Sequence, residues 1–176
     1  MILVGAVGAV PSINTQVPVE TRAVPAVFQP FYQGPVLSEE RARQMREALP
    51  YESIALERSG GMLVPGGLFR LVLHRNGTAT LWTDGSNRFA RAGEYVGTIK
   101  LDDFAKVSHL IAEAEFERLA PRYAVQWSDQ TEDTVTVVAG ARRVAVVDYG
   151  GAGPVRLWAI QRAIEAVALN IRWNAK

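Results

Sequence analysis

Cysteine is absent from all 176 residues, which removes disulfides, thiolate nucleophiles and thiolate metal ligands from consideration. Histidine is nearly absent. His74 and His109 are the two, and neither has a second histidine at ligand spacing, so zinc hydrolase and Ser-His-Asp chemistry lose their usual donor. No serine has the flanking glycines of a Gly-x-Ser-x-Gly nucleophile elbow. Net charge is scarce as well: at +1 the chain projects no broad field, so neither nucleic acid nor an acidic membrane surface is favoured as a partner. A membrane-length apolar run is also missing, since the apolar stretch from Met1 to Val10 is about half of a span.

With 48% hydrophobic and 21% charged residues, the chain has enough apolar material for one globular domain of about 120 to 140 residues. The first 36 residues are of another kind. They hold five of the nine prolines and two charges, Glu20 and Arg22. Proline at that density forbids a long helix or a central strand and predicts an extended path. Disordered tails are polar and charged, whereas this arm is apolar and gains by burying its side chains. Val7-Gly8-Ala9 loosely fits an export cleavage site, but no Lys or Arg precedes Arg22 to form a basic n-region. Both an attached arm and a signal remnant stay open.

Residues 37–176 read as one α+β domain, with a short leading helix at 37–49 and a core at 52–173. Ser38 is a good N-cap, Glu39 and Glu40 suit the helix N-terminus, and Pro50 stops the pattern. The period then becomes two: Ile54 and Leu56 alternate with Ser53, Ala55 and Glu57, and Phe69, Leu71 and Leu73 alternate with Arg70, Val72 and His74. Asn76-Gly77 signals a hairpin in which both turn positions take positive φ. A fourth strand is expected over Gly93 to Ile99. A helix follows from Leu101 or Asp102 to near Leu119, with Phe104, Val107, Leu110 and Ile111 on its apolar face. Strands at Thr134 to Val138 and Arg143 to Val147 precede a last helix from Pro154 to about Trp173. The expected fold is a mainly antiparallel sheet of about six strands with helices packed on one face, preceded by the extended arm.

Three landmarks, the opening Leu56-Glu57-Arg58-Ser59, the Asn-Gly hairpin and Asp148-Tyr149-Gly150-Gly151 before the last helix, resemble a bacterial family of small α+β domains with no assigned function. The resemblance implies a fold and no reaction. It covers about residues 50 to 173. The family's Cys-x-x-x-Cys-Pro stretch is replaced here by Gly61-Met62-Leu63-Val64-Pro65, so no thiol or metal role transfers.

The remaining chemistry is sparse. Ser59 to Gly67 is glycine-rich but lacks the Lys-Ser/Thr of a phosphate loop and leads into a strand. Asp129, Glu132 and Asp133 lack calcium-loop spacing and read as a solvated loop. Asp148, Tyr149, Gly150, Gly151 and Arg156 could frame an anion at the start of the last helix, although a tight strand-to-helix turn explains the same glycines.

The expected function is therefore a non-enzymatic protein-binding module without cofactor or metal: an accessory or scaffolding subunit of a larger assembly, docked through its arm. The anchors are Phe28, Phe31 and Tyr32, joined by Trp158 and Trp173, which lie off the main stripe of the last helix. The partner is another protein subunit, and the uncharged arm also suits a membrane-protein surface. The alternative is a small-molecule or anion receptor using the Gly-rich turn. Composition and resemblance favour a periplasmic setting over a cytoplasmic one.

Overall fold

The computed structural model describes residues 49–61 and 66–176. The arm, with Phe28, Phe31 and Tyr32, and the leading helix up to residue 48 lie outside the described residues; Leu49, its expected last residue, is buried in the core and not helical.

Eight described strands form one sheet: β1 Ser53–Ser59, β2 Phe69–His74, β3 Thr78–Thr83, β4 Gly93–Thr98, β5 Arg122–Ala124, β6 Glu132–Ala139, β7 Arg142–Tyr149 and β8 Asn174–Ala175. Their order is β5-β7-β6-β1-β2-β3-β4-β8. Every pairing is antiparallel except β5 with β7. β1 sits among the inner strands, between β2 and β6, and joins a β2–β4 meander to the β6–β7 hairpin. Two helices, α1 Leu101–Glu113 and α2 Val155–Leu169, complete the mixed α and β domain.

The period-two pattern becomes one buried face. Cross-strand partners Ile54, Leu73 and Val137, then Leu56, Leu71 and Val135, are almost wholly buried. They belong to the same core as Phe104, Val107 and Ile111 of α1 and Leu157, Ile160 and Ile164 of α2. Burial of these branched side chains supplies roughly 1.5–3 kcal/mol each relative to exposure. The other face carries Glu57, Arg70, Trp82 and Glu94, all exposed.

Several sequence expectations change. The hairpin turn spans Arg75 to Gly77, the Gly77 amide donates to the His74 carbonyl at 3.0 Å, and Gly77 alone takes positive φ. It is a three-residue loop closed by a left-handed glycine, so Asn76 needs no positive φ. Its carboxamide oxygen instead accepts the Thr78 amide at 3.0 Å and the Thr78 hydroxyl at 2.7 Å. α1 ends at Glu113, because Glu115 turns left-handed (φ 49°) and a short 3-10 turn over Phe116–Arg118 buries Phe116. α2 ends at Leu169, four residues before Trp173, and the chain then crosses back to pair as β8. At that crossing Gly97 permits close approach: a Cβ there would lie 2.3 Å from Ile171 Cγ2. The two strands beyond the expected six, β5 and β8, have three and two residues, too few to show a period.

Candidate functional site

Arg58 continues the inward phase of Ile54 and Leu56, so strand geometry drives a guanidinium into the core. Its partner across β6 is Asp133, and Asp133 in turn pairs with Asp148 on β7. The three form one polar row across the end of the sheet. The expected solvated loop at Glu132 and Asp133 is thus overturned: both open β6, and Asp133 is 9% exposed. Its side chain points inward because it shares the phase of Val135 and Val137.

An inward charge needs partners, and Arg58 has them. Nε donates to Asp133 Oδ1 at 2.7 Å, and Nη2 donates to Asp133 Oδ2 at 2.9 Å and Glu165 Oε1 at 2.7 Å. Arg162 adds a second cation: Nη1 donates to Glu165 Oε2 at 2.8 Å, and Nη2 lies 3.9 Å from Asp133 Oδ2. Burial alone lowers the Arg58 pKa, but hydrogen bonds and charges from Asp133 and Glu165 outweigh it and hold the group above its ordinary value. The guanidinium also stacks 5.1 Å from the Phe69 ring centroid, and Phe89 meets Phe69 edge-on at 5.0 Å. The cluster ties β1, β6 and α2 together.

A cleft of about 470 Å³ opens beside this cluster, between α2 and the loop after β3. That loop is fixed by its own side chains, since Asp84 Oδ1 accepts the Ser86 amide at 2.8 Å and Asn87 Oδ1 accepts the Phe89 amide at 3.0 Å. Backbone amides hold the Asp84 carboxyl below its ordinary range.

The Gly-rich turn is closed by Asp148. Oδ1 accepts the Gly153 amide at 2.8 Å, and Oδ2 accepts the Gln161 carboxamide at 3.1 Å. A carboxylate of the chain thus satisfies an amide at the start of α2, the position where an external anion would otherwise be drawn. Gly150 has φ +71°, and a Cβ there would lie 2.4 Å from Val125 Cγ2. The Tyr149 hydroxyl accepts the Gln130 amide at 3.1 Å, and Gly151 has open space around it. Arg156 is turned aside, with Nη1 4.0 Å from Glu115 Oε2.

The two tryptophans differ. Trp173 packs on the core and donates Nε1 to the Ala168 carbonyl at 3.2 Å. Trp158 is 56% exposed, on the same outer side of α2 as Val155 (79%), Ala166 and Leu169 (42%). Residues 155, 158, 162, 166 and 169 recur at helical spacing and form a single stripe.

Among the described residues no three His, Asp or Glu side chains are grouped to hold a metal, and no helix is long and apolar enough to cross a membrane. Sequence reasoning missed the Arg58 cluster. The available signal was phase, because Arg58, Asp133 and Asp148 each stand where the alternation calls for an apolar residue.

No curated protein matches the chain. A family model described as "Domain of unknown function (DUF6438)" matches residues 68–168, which take in the Asn-Gly hairpin, all of α1, α2 up to Ala168 and the Tyr149-Gly150-Gly151 turn. The match covers more than half of the sequence, and the chain belongs to this DUF6438 family of domains of unknown function.

Proposed function

We propose that the protein is a non-enzymatic protein-binding module, an accessory or scaffolding subunit of a larger bacterial assembly. The observation that carries this reading is the outer stripe of α2, where Val155, Trp158, Ala166 and Leu169 face solvent along a 15-residue helix. Aromatic anchors set in apolar surface account for a disproportionate share of binding energy between proteins. In this reading α1 and α2 both cover the inward face of the sheet, and the stripe and the arm do the docking. The arm's apolar composition suits a partner that offers a groove, including a subunit of a membrane complex in the periplasm. The small-anion reading of the Gly-rich turn draws less support, because Asp148 already accepts the Gly153 amide.

The test is affinity purification of three forms from native membranes and soluble extract: the full chain, Trp158→Asp, and a chain starting at Val36. Mass spectrometry identifies what accompanies each. A partner held by the full chain and lost from either altered form supports the module. Three identical sets of companions would refute it.

A further inference from the structure

We propose that the cleft between α2 and the loop after β3 binds a monocarboxylate that carries an apolar or aromatic group. Arg58 is 7% exposed, and its Nε and Nη2 are committed to Asp133 and Glu165. Its third nitrogen, Nη1, has no acceptor among the described residues and faces Gly66, where a Cβ would lie 2.9 Å away. Glycine at that position leaves room beside Nη1 that any side chain there would press on. Arg162 contributes a second guanidinium to the cleft: its Nη1 is spent on Glu165, while Nη2 stands 3.9 Å from Asp133 Oδ2, beyond hydrogen-bond distance, and the buried Nε has no hydrogen-bond partner. Buried donors left unsatisfied are costly, and a carboxylate fits the geometry of guanidinium N–H groups.

Charge selects the ligand's valence. Three guanidiniums, Arg58, Arg88 and Arg162, stand against the carboxylates of Glu165 and Asp133, which leaves a single positive excess. A monoanion is matched, and the second charge of a dianion meets Glu165. The crossed rings of Phe69 and Phe89 supply an apolar wall for the rest of the molecule. A volume of about 470 Å³ suits a small organic acid or the last residues of a polypeptide.

The full-length, isotope-labelled protein is titrated by NMR with benzoate and its neutral twin benzamide. Parallel titrations use acetyl-Ala-Ala-Phe with a free terminal carboxylate and the same peptide as its amide. Saturable shifts at Phe69, Phe89 and Arg162 with the acids alone support the site, and Arg162→Met weakens binding roughly tenfold or more. If Arg162→Met does not fold, Arg88→Gln at the exposed rim serves instead, with about threefold weakening. Tighter binding of the peptide acid assigns the site to a chain terminus, and tighter benzoate assigns it to a small acid. The proposal is overturned by no saturable response to either acid, by equal response to acid and amide, by shifts confined to other surfaces, or by undiminished affinity in the variant.

Discussion

Replacing Arg58 with methionine keeps much of the side chain's apolar volume and deletes its charge. It leaves Asp133 and Glu165, whose side chains are 12% and 6% exposed, without three charge-assisted hydrogen bonds. Breaking a buried pair from one side costs about 3–5 kcal/mol. Arg162 softens the loss unevenly: it still holds Glu165 at 2.8 Å but stands 3.9 Å from Asp133. The uncompensated charge is therefore chiefly Asp133, which places the cost near the lower end, about 3 kcal/mol. For a domain of this size that is a fall in Tm of roughly 10–15 °C. Urea unfolding should show a lower midpoint with an unchanged slope. The triple change Arg58→Met, Asp133→Leu and Glu165→Met removes the charges together and should return stability to within about 1 kcal/mol of the parent, or exceed it. A cost below about 1 kcal/mol for the single change, or a triple variant as weak as the single one, would refute the reasoning.

Two further predictions concern other parts of the domain. Tyr51 is buried, and desolvation first and the charge of Glu117 second raise its pKa above the ordinary 10.0, against a smaller lowering by Arg142. Its neutral form is the one the fold favours, so its contribution is full below pH 10 and is lost as pH rises through the raised folded value. Tyr51→Phe should flatten the alkaline decline of stability in pH-dependent urea melts, and an unchanged slope would exclude Tyr51 as its source. Asp148→Ala should cost about 1–3 kcal/mol, because it strands the Gly153 amide and the buried Gln161 carboxamide. Unchanged stability in thermal melts would show that the carboxylate is not a structural closure of the turn.

Local pattern carried most of the fold. Phe69, Leu71 and Leu73 announce β2 through alternation alone, and Leu157, Ile160 and Ile164 announce α2 through helical spacing. The turn at Arg75 to Gly77 was legible in place but not in conformation, because one left-handed glycine suffices where two positions were expected to need positive φ. β5 and β8 escaped because they are defined by what they pair with rather than by their own residues. The charge cluster escaped for a related reason. Arg58 and Asp133 look like surface residues until their phase is followed, and their partnership spans 75 positions that no local window contains. Trp158 was readable as off-stripe and is exposed, whereas Trp173, which looked equivalent, is drawn inward by the return of the chain across Gly97.

The placement of β1 bears on where this domain can be cut. The span 68–168 shared with the family begins after Ser59, so it omits the strand that joins the two parts of the sheet. A fragment trimmed to those limits would present β2 and β6 as two raw edges facing a missing strand, each with an unpaired row of amides and carbonyls. Such edges recruit strands from other molecules. During synthesis the same gap is open from the other side: β1 leaves the ribosome early and waits until residues 132–139 emerge before its second edge is closed.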